Sequence, residues 1–288
     1  MATPLPAFDG TAAAVDRAGW HARLALRFGH AGGRTTLARR DHVGPLVVQK
    51  AFHPEGDAVC QVVIVHPPGG IAGGDALEVC IDVDAKASAQ VTQPAATKWY
   101  RSAGRLATQD VRIEVGADAL LEWLPQGTIV FDGVHARSTL SVRLAPSATL
   151  FAWEVVCLGR AAAGERFDHG RWRQRLEIVR GDALIWSERI DLAGASPMLQ
   201  SPAGLNGAPA FGTFVAVSPA LDDAALAAAR AVQPARGECA VTRLPDVLVA
   251  RYRGDASDDG ARCFAQIWSA LRPRLAGRVA VPPRIWST

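Results

Sequence analysis

The chain has 288 residues, 49% of them apolar, and 31 basic against 28 acidic side chains leave a net charge of +3. A chain of this length buries about three quarters of the surface its unfolded form exposes, so a large core is expected. The near-balance of charge argues against a nucleic-acid binder, and no run of 18 apolar residues marks a helical membrane span.

Residues 1–18 are expected to be a flexible N-terminal segment. The opening "MATPLPAFDGTAAAVDRAGW" lacks the basic start and apolar stretch of a signal peptide, so a cytoplasmic protein is expected. From Ala22 to Phe28 the period is two: Ala22, Leu24, Leu26 and Phe28 share one face, Arg23 and Arg27 the other. "HAGG" follows as a hairpin turn, and "PLVVQKAF" and "CQVVIV" read as further strands.

A pattern then repeats. "LEVCIDV" turns at "DAK" and returns as "ASAQVTQ"; "VRIEV" turns at "GAD" and returns as "ALLEWLPQ". "LSVRL" turns at "APS" and returns as "ATLFAWEVV"; "LEIV" turns at "RGD" and returns as "ALIWSERI". The return arms open at Ala87, Ala119, Ala148 and Ala183, spaced by 32, 29 and 35 residues. One hairpin is marginal alone, and stacking buries its apolar face. The expected fold is mainly β: stacked hairpins forming a β-helix-like or two-layer architecture, with about two helices near the C-terminus. The basic run "RWRQR" at 171–175 reads as a solvated strand face, with Asp168 and Glu177 nearby.

Helices are expected only late. In "SPALDDAALAAARAV" Ser218 is a candidate N-cap and Pro219 suits the first helical position. In "DDGARCFAQIWSALRPRL" Phe264, Ile267, Trp268 and Leu271 fall on one face, and Pro273 is expected to end or bend the helix. The tail "VPPRIWST" is expected to be extended. No linker separates differently composed halves, so residues 1–288 are expected to form one domain. Five cysteines (60, 80, 157, 239, 263), an odd count without CxxC, read as free thiols of a reducing compartment.

The glycine-rich stretch "HPPGGIAGGD" at 66–75 raises three chemistries. A phosphate loop would open into a helix and carry a lysine, whereas an alternating strand follows here. A closed metal site needs three or four ligands, and His66 and Asp75 have only His53, Cys60 and Cys80 near in sequence. Paired carboxylates, drawn from Glu122, Asp132, Glu154 and Glu165, would suit a β-stack carbohydrate-active enzyme if they faced each other. Glu122 and Glu154 sit among large apolar residues; pointing inward, they would need arginine partners or water.

Together, "HPPGGIAGGD", "TQPAATKWYRS", "LEWLPQGTIVFDG", "CLGRAAAGERF" and "LRPRLAGRVAVPPRIWST", in that order, closely resemble the urease accessory protein family called UreD, or UreH in some bacteria. The resemblance implies a non-enzymatic urease maturation factor. It implies a scaffold that binds apo-urease and a helical UreF-like protein, and through it a UreG-like GTPase, without nucleic acid or membrane. It further implies no tightly bound cofactor, with Ni²⁺ in transit to the urease active site through an internal polar passage. On this reading Asp75, Glu122, Asp132 and Glu154 are candidate passage-lining carboxylates, and His66 and Cys157 candidate transient ligands. The structural alternatives are ion pairs or turn caps and, for Cys157, a core thiol. Lys98, Trp99, Tyr100 and Arg101 have the mix favoured at interfaces or could pack inside the monomer; Arg284 and Trp286 are candidates for contacting the UreF-like partner.

Overall fold

The computed structural model describes residues 19–287. The segment 1–18 lies outside the described residues. Strands β1 (His21–Ala31) and β2 (Arg34–Val43) form the expected antiparallel hairpin, with Ala22, Leu24, Leu26 and Phe28 buried. Strand β3 (Val47–Phe52) pairs antiparallel with β4 (Cys60–Val65), and a short β5 (Gly70–Ile71) follows.

Repeating units come next: β6 (Ala76–Val83), β7 (Ser88–Thr92) and β8 (Thr97–Trp99), then β9 (Ala107–Val115), β10 (Leu120–Leu124) and β11 (Thr128–Val130). A third unit holds β12 (Val134–Leu144) and a long β13 (Thr149–Leu158). The chain closes with β14 (Gly170–Arg180), β15 (Ala183–Ala193), a one-turn α1 (Pro197–Gln200), β16 (Ala210–Val217), α2 (Asp223–Ala231), β17 (Glu238–Arg243), β18 (Leu248–Gly254) and α3 (Ser257–Ala276).

The fold is mainly β, a solenoid of about four turns. Successive first arms β1, β6, β9, β12 and β14 stack in parallel, and so do return arms β4, β7, β10 and β13. The pairing within a unit differs from a hairpin. β6 bonds to β1 and β9, and β7 to β4 and β10, so each of the first three turns is an arch joining two sheets. Ala87, Ala119 and Ala148 sit buried at these corners, where a larger side chain would hold the sheets apart. The fourth unit, β14 with β15, is a true antiparallel hairpin, and its Ala183 is exposed. The inner ladders are apolar, for instance Leu26–Ile81–Ile113–Val142–Ile178 on one sheet and Cys60–Ala89–Leu121–Leu150 on the other.

A second core lies outside the solenoid, between the outer face of the return-arm sheet and the helices α2 and α3. Phe264, Ile267, Trp268 and Leu271 of α3 are fully buried there. Three local expectations change. Helix α2 starts at Asp223, capped by Asp222, whose Oδ1 accepts from the Ala225 N–H at 2.7 Å; Ser218 instead donates its hydroxyl to the Leu275 carbonyl. Pro273 does not end α3, which runs to Ala276 and stops at left-handed Gly277. The tail is not wholly extended: Arg284–Ser287 form a 3₁₀ turn.

Candidate functional site

Side chains alternate between the two faces of a strand, so position along a return arm decides where a carboxylate goes. On β13 Leu150, Ala152, Val156 and Leu158 belong to the solenoid core, and Phe151, Trp153 and Val155 to the outer core. Glu154 therefore faces inward. On β10 Leu121 and Trp123 face inward, and Leu120 and Leu124 outward. Glu122 therefore faces outward. The two glutamates lie on opposite faces of one sheet, which removes them as a facing catalytic pair.

Glu154 stands in a polar row through the apolar interior. Thr128 donates its hydroxyl to Oε1 at 3.0 Å, and Gln174 donates Nε2 to Oε2 at 3.0 Å. Gln109, Ser138 and Gln174 form one ladder of the first-arm sheet, in register with Leu77 of the core. Burial pushes the Glu154 carboxyl up to about 7, opposed by the Thr128 hydrogen bond and assisted by nearby Glu188. At neutral pH it exchanges readily between its charged and neutral forms.

Small cavities follow this row. A cavity of about 180 Å³ touches His66, Gln93, Thr97, Gln109 and Trp123. A cell of about 20 Å³ shares the last four of these and reaches Thr128, Ser138 and Glu154. Another of about 10 Å³ runs from Glu154 and Gln174 to Thr213. Thr213 opens onto a cleft of about 710 Å³ that also holds Glu188 and Arg251. The two middle cells are each about the size that holds one water, and side chains of Gln, Ser, Thr and Glu bring oxygens to their lining.

His66 lines the 180 Å³ end of the row, half-buried; burial pulls its imidazole below the ordinary value, with Asp75 opposing. It is therefore neutral at pH 7 and offers a lone pair. The other sequence candidates lie elsewhere. Asp75 ties the glycine-rich turn together: its carboxylate accepts from the Trp20 and Ala72 N–H groups, each at 2.8 Å. Asp132 clamps two loops, accepting from the Asp168 and His169 N–H groups at 2.8 and 2.7 Å and contacting His169 Nδ1 at 3.0 Å. Burial raises the Asp132 carboxyl, but these bonds outweigh it and hold it below the usual range.

Glu122 accepts from Arg272 Nε at 2.8 Å, Trp268 Nε1 at 2.7 Å and Gln90 Nε2 at 3.0 Å, fully buried against α3. Cys157 shares the outward parity of its strand, and burial pushes its thiol up, away from the thiolate. In the "KWYR" stretch Lys98 and Arg101 are exposed. Trp99 is buried edge-on to Trp172 at 5.1 Å, and Tyr100 packs edge-on to Phe131 at 5.1 Å. Gly70 makes that packing possible, since a Cβ there would lie 2.4 Å from the Tyr100 ring. Arg284 is exposed, whereas Trp286 packs against Trp153 and Trp268 and donates Nε1 to Thr92 at 2.9 Å.

Sequence reasoning missed Gln93, Gln109, Ser138, Gln174, Thr213, Glu188 and Arg251. A signal existed for the first of these. Gln93 and Glu154 each fall six residues after the alanine that opens their arm, an even offset that points inward; Glu122 falls three after Ala119, an odd one. Among the described residues, no cluster of three or more His, Cys, Asp or Glu is placed to hold a metal ion. No helix among them is long and apolar enough to cross a membrane.

Comparison with known proteins gives one consistent picture. The family model described as UreD urease accessory protein matches residues 21–287. The chain is similar to a urease accessory protein UreD of Dechloromonas aromatica, with 49% identity over 273 residues, covering 93% of this chain and 95% of that one. It is 47% identical over 270 residues to the protein so named from an Azoarcus species, covering 94% and 95%. It is 43% identical over 280 residues to that of Methylobacillus flagellatus, covering 96% and 98%.

Proposed function

The chain belongs to the UreD urease accessory protein family and is a non-catalytic urease maturation factor; from that premise we propose that it is a scaffold whose polar row conducts Ni²⁺ toward apo-urease. The observation that carries the reading is Glu154, a carboxylate lodged inside an apolar solenoid and joined by small cells, lined by polar side chains among apolar ones, to His66 on one side and Thr213 on the other. An interior stripe of Gln, Ser, Thr and Glu costs stability relative to apolar packing. Passage of a cation gives that cost a purpose.

Nickel is cargo here, so it must be held loosely. Each ~1.4 kcal/mol of added affinity slows release about tenfold at constant entry rate. A row of neutral oxygens with one carboxyl that titrates near neutrality meets that requirement better than a closed cage. In the same reading a UreF-like protein and a UreG-like GTPase dock on the scaffold, with Lys98, Arg101 and Arg284 as exposed contacts. Trp99, Tyr100 and Trp286 act from beneath, by fixing the backbone that carries those contacts. The free thiols are compatible with the cytoplasm.

The test is reconstitution: apo-urease, the UreF-like and UreG-like proteins and this chain, supplied with nickel, bicarbonate and GTP. Glu154→Gln, nearly isosteric, is expected to lower nickel incorporation at limiting nickel while the complex still assembles. Incorporation at the parental rate would overturn the conduit and leave only the scaffold.

A further inference from the structure

The cleft at the far end of the polar row is lined by an ion pair that joins the two sheets. On the return-arm sheet Glu154, Thr213 and Arg251 are direct cross-strand neighbours on β13, β16 and β18. With strands about 4.8 Å apart, the Arg251 backbone lies about 10 Å from that of Glu154. Across the cleft, Glu188 projects from β15 of the other sheet. Arg251 Nη2 donates to Glu188 Oε1 at 2.7 Å, and its guanidinium lies 5.7 Å from the Trp186 ring centre.

The pair is lopsided. The Glu188 side chain is 10% exposed and that of Arg251 59% exposed. Oε2 of Glu188 is buried and has no hydrogen-bond partner among the described residues. A carboxylate built only to hold the sheets together would have both oxygens satisfied, because an unpaired buried acceptor is costly. Here one oxygen meets a solvent-screened, single-point cation, the kind of contact that contributes little and is easily exchanged.

We propose that Arg251 is a tethered counter-ion closing the mouth of the row on Glu188, and that a divalent cation arriving from Glu154 displaces it and takes the carboxylate. The displaced guanidinium keeps the Trp186 face to rest on and returns when the cation leaves. Arg251 and Glu188 then act as positioning residues for release. This inference rests on the conduit reading of Glu154.

The experiment uses the full chain in its complex with apo-urease and the accessory proteins, with Ni²⁺ alone as the metal probe. The rate of nickel appearing in urease is followed at limiting nickel. Arg251→Met keeps the stem over Trp186 and removes the charge; it is expected to speed loading about 1.5- to 5-fold, the range matching an exposed ion pair. Arg251→Lys should stay near the parent. Glu188→Gln should slow loading, since it removes the landing charge while keeping the shape. Soluble yield of each assembled complex reports folding, and Arg251→Lys keeps the test readable if Arg251→Met assembles poorly, because a charge role tolerates it. Parental rates for Arg251→Met and Glu188→Gln, with Glu154→Gln slow, would overturn the mouth and leave the conduit standing. Parental rates for all three, Glu154→Gln included, would overturn both.

Discussion

Arg272 and Glu122 meet 150 residues apart in sequence, both fully buried, through Nε–Oε1 and Nη2–Oε2 contacts of 2.8 and 3.0 Å. The same guanidinium grips Glu55 with two further bonds of 2.7 and 2.8 Å and donates to the Val279 carbonyl. One side chain thus ties α3 to β10, to the β3–β4 loop and to the start of the tail. Breaking such a pair from one side leaves an uncompensated buried charge, so Arg272→Met is expected to cost about 3–5 kcal/mol. Urea unfolding measures it. Pairing it with Glu122→Gln should cost less than the sum of the two single changes, as residues in one network are not additive.

Glu154 sets a pH dependence of stability. Its carboxyl titrates at about 7 in the fold against an ordinary value of 4.5, so between those values the folded chain holds a proton the unfolded chain has lost. The stabilisation is complete below the lower value and is lost as pH rises through the upper one. The slope is at most about 1.4 kcal/mol per pH unit. Denaturation curves from pH 5 to 8 should show it, and Glu154→Gln should flatten it; an unchanged slope would place the titrating group elsewhere.

Gly70→Ala drives a methyl into the Tyr100 ring, and overpacking of this kind costs about 1–3 kcal/mol. Tyr100→Ala removes the obstacle. The double variant is expected to be less destabilised than Gly70→Ala and Tyr100→Ala added together, which a thermal melt of the four proteins decides.

Asp75 and His66 separate in the same way. Asp75→Ala strands the Trp20 and Ala72 N–H groups and should cost about 1–2 kcal/mol. His66→Ala keeps the turn's bond from the Gly69 N–H to the backbone carbonyl of residue 66 and should leave the melting temperature near that of the parent while lowering nickel incorporation.

At the tail, Trp286→Ala opens the contact with Trp153 and Trp268 and removes the donor to Thr92. A loss of about 2–3 kcal/mol is expected for this half-buried ring, below the range for a full core tryptophan. Arg284→Glu should leave stability unchanged and weaken co-purification of the UreF-like partner. Equal capture by both proteins would remove Arg284 from the interface.

Alternation was enough to find the first strands and the two arms of each repeat, though not the short β5, β8 and β11 or the later β16, β17 and β18, and the recurring alanines marked the corners, because both follow from what one strand needs locally: one buried face, and a small residue where the chain turns inward. The apolar face of α3 was legible for the same reason, four large residues at helical spacing. The family itself was carried by five stretches in order. What sequence alone did not decide was which strands bond to which. An arch and a hairpin share the pattern strand–turn–strand, and only the stacked neighbours tell them apart: β6 and β7 each find a parallel partner above and below, while β15 at the end of the stack has β14 alone to fold back on. Glu122 and Glu154 divide along the same line. Both are glutamates among apolar residues, yet one strand face looks onto α3 and the other onto the solenoid interior. The partner that neutralises Glu122 arrives from 150 residues away, and the threonine and glutamine that hold Glu154 from 26 and 20. Charge burial is a property of the assembled surroundings, so only the tertiary structure could separate a structural clamp from a candidate conduit.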